Sequence, residues 1–171
     1  MTLLTVIRHA KSSWDDLALD DFDRPLNKRG RSAARQIGRE LKNRRFRFDL
    51  VLASPAKRVR ETLEGIEKGY GETLPVQFEP AIYEASKKSL FELVRRIPES
   101  AQAPMLVGHN QGLERLILAL AAHDARGLRD RVEAKFPTAA VALIEFPEAR
   151  WAEVMEGSGQ IRELILPREL D

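Results

Sequence analysis

Leu3-Leu4-Thr5-Val6-Ile7-Arg8-His9-Ala10 starts as an apolar run and stops on a guanidinium and an imidazole. A short apolar run cut off by polar residues reads as a buried strand. A strand that ends in Arg-His delivers an imidazole to the C-terminal edge of a sheet with a fixed positive charge beside it. Met105-Leu106-Val107-Gly108-His109 repeats the arrangement further along. The chain has three histidines, and two of them fall at this kind of position.

Working outward, Leu50-Val51-Leu52 and Val76-Gln77-Phe78 read as two more strands. Helical spacing separates the four. Ala33, Ala34, Ile37, Gly38 and Leu41 form one apolar face, with Arg31, Arg35, Arg39 and Lys42 opposite. Val59, Leu63 and Ile66 mark a second helix, expected to be capped by Ser54 with Pro55 in its first turn. Leu90, Phe91, Val94 and Ile97 mark a third that stops at Pro98, and Leu113, Leu116, Ile117 and Leu120 a fourth. The charged stretch Asp124 to Lys135 fits a short surface helix. The tail changes character: Ala139 to Phe146, Trp151 to Val154 and Ile161 to Leu166 read as strands without intervening helices. The expected fold is therefore α/β, a three-layer α/β/α sandwich with a mostly parallel central sheet and an antiparallel C-terminal edge. No repeat, low-complexity segment or linker divides the chain, so one domain over residues 1–171 is expected.

Composition narrows the function classes. Of 171 residues, 43% are hydrophobic and 32% charged, ordinary for a globular chain with a charged surface. The absence of cysteine excludes a disulfide scaffold, thiolate metal sites and cysteine-nucleophile chemistry. No apolar run approaches the roughly 18 residues of a membrane span. Met1 to Ile7 lacks the basic opening of a signal peptide, so a cytoplasmic protein is expected. A formal net charge of +2, and basic residues that follow helix faces without interleaved aromatics, give no footprint for nucleic acid.

Ligands of open α/β sheets bind at the carboxyl ends of the strands. Arg8 and His9 fall there, as do Ser54, with Arg58 and Thr62 following at four-residue spacing, and Gly108-His109-Asn110. Glu84 follows the third strand. Taken singly these are a surface charge, a helix cap and a turn; together they place two arginines and two histidines at one sheet edge. Such a group asks for an anion, and guanidinium forks suit a phosphoryl group. An imidazole of pKa near about 6.5 is substantially neutral at pH 7, and neighbouring guanidinium charge lowers that value further, keeping it nucleophilic. Fixed positive charge then stands in for a metal, and neither metal nor cofactor is expected.

These residues resemble the histidine phosphatase superfamily, the group with phosphoglycerate mutase-like folds. The resemblance rests on Arg8-His9-Ala10, on Ser54-Pro55-Ala56-Lys57-Arg58 with Thr62, and on Gly108-His109-Asn110. The small size and Asp23-Arg24-Pro25-Leu26 ahead of Gly30 look like its SixA-type phosphohistidine phosphatase branch. The resemblance spans essentially the whole chain. It implies His9 as nucleophile, with Arg8, Arg58 and His109 completing the phosphate pocket and Arg24 reaching its rim. Ser54 would orient the helix carrying Arg58, and Glu84 matches the region from which larger relatives supply a proton donor. Asn27 stands where many relatives have threonine, and Gln111 where proline often follows Gly-His-Asn; both are expected to affect loop shape.

The expected function is metal-independent removal of phosphate from phosphohistidine in a partner protein, through a phosphohistidine intermediate on His9. Two alternatives stand beside it. One is a phosphomonoesterase of small phosphorylated metabolites using Glu84 as general acid; the other is a non-catalytic phosphate-binding adaptor. Mutase activity is disfavoured because so short a chain leaves little room to enclose a diphosphorylated intermediate.

Overall fold

The computed structural model describes residues 2–147 and 150–170. Both ends of the expected 1–171 domain, and the first residue of the segment read for a signal peptide, lie outside the described residues. Six strands form one sheet: β1 (Thr2–Arg8), β2 (Leu50–Ala53), β3 (Val76–Phe78), β4 (Pro104–Gly108), β5 (Val141–Phe146) and β6 (Gln160–Ile165), in the order β3-β2-β4-β1-β5-β6. The pairs β2–β3, β2–β4 and β1–β4 are parallel; β1–β5 and β5–β6 are antiparallel. The sheet is thus parallel over four strands, with the C-terminal antiparallel edge that the tail predicts.

Among the described residues five α-helices cover it: α1 (Lys28–Asn43), α2 (Lys57–Tyr70), α3 (Lys87–Arg95), α4 (Gly112–Leu120) and α5 (Leu128–Ala134). The two-residue period of the strands divides their side chains between two cores. Leu4, Val6 and Leu106 face α3, α4 and α5 through Leu90, Val94, Leu116, Ile117 and Val132. Ile7, Met105 and Val107 face α1 and α2 through Ile37, Leu41, Val59 and Ile66. β4 is buried along its whole length, which is why it reads as a continuous apolar run rather than an alternating one. Among the described residues no helix is long and apolar enough to cross a membrane.

Two local expectations are corrected. Ser54 does not cap α2: the helix begins at Lys57 after Ala56, and Ser54 lies ahead of it in the turn, its Oγ accepting the Ala56 amide at 3.2 Å. Ala56 is still non-helical, at φ −57° and ψ 143°, so the helix starts two residues later than the cap reading allows. Ser54 is therefore off the helical face that Arg58 and Thr62 share. Trp151 to Val154 is not a strand but a 3-10 turn over Trp151–Glu153, with Trp151 and Val154 both buried. A three-residue spacing of buried side chains belongs to a tight helical turn rather than to a pleat.

The departure at Asn27 has a plain consequence. Its side chain accepts the Gly30 amide at 2.8 Å and caps α1, a task that asparagine performs at least as well as threonine.

Candidate active site

The register of the central strands brings three ends level. Arg8 pairs with Gly108 and Ala53 with Val107. The pairing runs one residue further: the His9 amide donates to the Gly108 carbonyl at 3.0 Å, and the Ser54 amide to the Val107 carbonyl at 3.1 Å. His9, Ser54 and His109 therefore emerge side by side. Arg58 arrives from the first turn of α2, where buried Thr62 joins helix to strand: it accepts the Ala10 amide at 2.9 Å and donates to the Arg58 carbonyl at 2.6 Å.

Around them opens a cavity of about 340 Å³, lined by Arg8, His9, Arg24, Arg58, His109 and Asn110, with Lys11, Ser12, Trp14 and Thr138 completing the wall. A wider cleft of about 910 Å³ beside α3 and α4 carries none of these groups, so chemistry rather than volume singles out the site. Glu84 is not in the lining; it is exposed, on a turn with φ of 56°. The structure thus gathers the two histidines with Arg8, Arg58 and Arg24, and leaves Glu84 outside.

Hydrogen bonds set the two imidazoles. His9 Nδ1 lies 2.7 Å from the Ala10 carbonyl, which only accepts, so Nδ1 carries the proton and Nε2 the lone pair. The His109 ring sits 5.3 Å from that of His9, with Nε2 2.8 Å from Ser54 Oγ. Ser54 Oγ accepts the Ala56 amide; with its hydroxyl proton turned to His109 Nε2, the His109 proton sits on Nδ1. Burial, then the charges of His109, Arg58 and Arg8, pushes His9 down to about 3; burial, then Arg58, pushes His109 down to about 4. Both rings are neutral at pH 7.

The guanidiniums are held by their outer nitrogens. Arg58 Nη1 donates to the Asp21 carbonyl at 2.7 Å and Nη2 to Asp21 Oδ2 at 3.0 Å. Arg24 Nη2 pairs with Asp21 Oδ1 at 3.1 Å while its plane lies 3.7 Å over the Trp14 ring. Arg8 Nη1 and Asn110 Nδ2 both donate to the Phe136 carbonyl, at 3.2 and 2.8 Å. Five buried side-chain polar atoms lack a partner among the described residues: Arg8 Nε, Arg24 Nε, Arg58 Nε, His109 Nδ1 and Asn110 Oδ1. All five belong to residues of this one cavity, and four of them are donors. Buried donors without acceptors are costly, and a tetrahedral oxyanion would satisfy them together.

Sequence reasoning missed Asp21 and Tyr83. Asp21 carries the carboxylate that accepts from Arg58 and Arg24, and the Tyr83 hydroxyl donates to its Oδ2 at 2.6 Å. That hydroxyl first, then Arg58 and Arg24, holds the Asp21 carboxyl below the usual carboxylate range. Asp21 answers Arg58 and Arg24, and Glu114 acts on Arg8, so three guanidiniums against two carboxylates keep the cluster net positive before Lys11 is counted. The available signal was electrostatic: a cationic cluster needs a counter-charge, and Asp21 stands three residues ahead of Arg24. Among the described residues no three His, Cys, Asp or Glu side chains gather as metal ligands.

Comparison with known proteins agrees with this geometry. The family model of the histidine phosphatase superfamily (branch 1) matches residues 4–101. An uncharacterised chloroplastic protein of Arabidopsis thaliana is 32% identical over 166 residues, covering 91% of this chain and 72% of that one. An uncharacterised protein of Mycobacterium tuberculosis is 30% identical over 164 residues, covering 95% of this chain and all of its own. Among solved structures, a protein of Agrobacterium tumefaciens assigned as the phosphohistidine phosphatase SixA superposes with a TM-score of 0.81 at 27% identity, covering 97% of this chain and 98% of that one.

Proposed function

The chain belongs to the histidine phosphatase superfamily, is a histidine-nucleophile phosphatase of its SixA-type branch, and from that premise we propose that it hydrolyses phosphohistidine in a partner protein through His9. In the first step the His9 Nε2 lone pair attacks phosphorus. A new N–P bond forms as the substrate N–P bond breaks, and its electron pair leaves on the substrate imidazole, whose other ring nitrogen already carries a proton, so that it departs as neutral imidazole. In the second step water attacks the phosphoryl group on His9, that N–P bond breaks with its electron pair returning to Nε2, the water's proton passes to the solvent, and phosphate departs. Arg8, Arg58 and Arg24 Nε–H groups and His109 Nδ1–H stabilise the equatorial oxygens. No metal enters either step.

One observation carries the choice of substrate. Among the described residues lining the cavity there is no carboxyl group. Asp21, ionised, is engaged by Arg58, Arg24 and Tyr83, and Glu84 is exposed outside the lining. An alkoxide leaving from a phosphate ester needs a proton in the transition state; imidazole, a far weaker base, does not depend on one. The site therefore suits phosphohistidine over an alkyl phosphate, and Glu84 takes no part in the reaction.

The test is hydrolysis, with chelator present, of a phosphohistidine peptide beside an alkyl phosphate and an aryl phosphate, with His9→Ala as the blank. The peptide should be preferred over the alkyl ester by about a hundredfold or more, the share a general acid would contribute to the ester. Preference for the alkyl ester together with a large defect in Glu84→Gln would instead establish the small-molecule phosphomonoesterase. Phosphate binding without a phosphoenzyme would establish the adaptor.

A further inference from the structure

A second cavity of about 350 Å³ adjoins the first and shares Lys11 and Thr138 with it. Its other cations come from three separate elements: Arg29 from the first turn of α1, Lys135 from just past α5, and Arg168 from the 3-10 turn over Pro167–Glu169 that follows β6. All four cationic side chains are exposed, and none makes a side-chain hydrogen bond or ion pair among the described residues. Their neighbours are engaged: Arg31 donates to the Leu26 carbonyl at 3.0 Å, and Arg131 takes the Glu169 carboxylate at 2.7 Å. No carboxylate lines the cavity among the described residues.

Four like charges held in one concavity repel one another, and an anion seated between them relieves that repulsion. Helix α1 packs closely on the backbone between the two cavities. Gly30 lets α1 lie directly on the Lys11 backbone, where a Cβ would meet the Lys11 carbonyl oxygen at 2.1 Å. The Lys11 backbone is thereby fixed at the junction, and its exposed side chain lines both cavities.

We propose that Lys11, Arg29, Lys135 and Arg168 form a second anion subsite, which receives an acidic side chain flanking the phosphohistidine of the protein substrate. The subsite rests on the phosphohistidine reading above and adds to it a preference for acidic sequence around the target histidine. Because its cations are exposed, the attraction is screened by salt.

Two phosphohistidine peptides decide the matter, one with Asp and Glu beside the modified histidine and one with Asn and Gln in their place. The parent enzyme should favour the acidic peptide in kcat/KM by roughly tenfold at low ionic strength, the sum of several exposed charge pairs, and lose that preference at high salt. In Arg29→Gln/Lys135→Gln/Arg168→Gln the two peptides should be processed alike. Lys135→Gln alone should reduce the preference part of the way, which covers the case of a triple variant that folds poorly. Equal treatment of the two peptides by the parent, or an undiminished preference in the variants, overturns the subsite. Turnover of an aryl phosphate with neither peptide processed overturns the phosphohistidine reading, and this ligand with it.

Discussion

His109 packs edge-on against the Tyr83 ring at 5.5 Å, and its one side-chain hydrogen bond among the described residues is to the Ser54 hydroxyl, which as donor favours the proton on Nδ1. Ser54→Ala removes the donor and lets the ring exchange tautomers or turn, so Nδ1–H no longer faces the oxyanion in every molecule. We expect kcat to fall about tenfold, less than the roughly hundred- to thousandfold lost when an oxyanion donor is deleted outright. KM should change little, because the guanidiniums still bind the phosphoryl group, and Ser54→Thr should restore the rate. Steady-state kinetics of the two variants check this; a loss confined to KM would assign Ser54 to binding instead. At this scale much was legible in the sequence. Arg8, His9 and His109 announce themselves because each ends an apolar run, and strand ends at one sheet edge converge whatever the loops do. The contacts of Asp21 and Tyr83 were not legible: Asp21 meets Arg58 and Tyr83 across separations of 37 and 62 residues, and no local pattern encodes such contacts. Ser54 was noticed for a cap it does not form, since a serine before proline carries the same local signal whether it turns to the helix or to a histidine.

The β1–α1 unit is the element on which the site depends. Lys11, Ser12 and Trp14 follow β1 directly and line the cavity, and α1 clamps the start of that loop through Gly30. Gly30→Ala places a methyl group 2.1 Å from the Lys11 carbonyl oxygen, 2.9 Å from its nitrogen and 3.0 Å from its carbonyl carbon. All three atoms are backbone, so no side chain can swing aside, and strand end and helix must part. The expected cost is about 1–3 kcal/mol of stability, the usual range for overpacking, although alanine is the better helix former in isolation. Thermal or denaturant unfolding measures it, and a gain in stability would show that the helix start relaxes freely. Activity should fall with it, since Asn27 caps α1 within the same turn and the Asn27 amide donates to the Lys11 carbonyl at 3.0 Å. Elements of this kind were largely readable: α1 through α4 show apolar residues at three- and four-residue spacing, and β4 an unbroken apolar run. Trp151 to Val154 escaped because four residues hold barely one period of any pattern, and Trp151 is placed by tertiary contacts, its Nε1 donating to the Ala101 carbonyl at 2.7 Å and its ring against Phe146 at 5.8 Å.

Across the whole molecule, the site sets how stability depends on pH. His9 and His109 titrate near 6.5 in an unfolded chain, and burial beside arginines brings them to about 3 and about 4 in the folded one. Between those values the unfolded chain binds protons that the folded chain refuses. Stability is therefore undiminished above pH 6.5 and falls as pH drops below it, by up to about 1.4 kcal/mol per pH unit for each histidine. Unfolding midpoints followed from pH 6.5 down to about 4 should fall more steeply in the parent than in a His9→Asn/His109→Gln variant, which lacks both groups. Identical slopes would mean that the rings are free to protonate in place. Sulfate, a dianion over this whole range, should flatten the parent's profile: seated against the arginines, it offers the imidazolium forms the counter-charge that the empty cavity withholds. The same physics joins stability to reaction. A phosphoryl dianion enters a cavity that stays net positive and whose nucleophile is kept neutral by burial and then by those arginines, so the positive charge that burdens the folded state in acid also binds the substrate and helps free the His9 lone pair to attack.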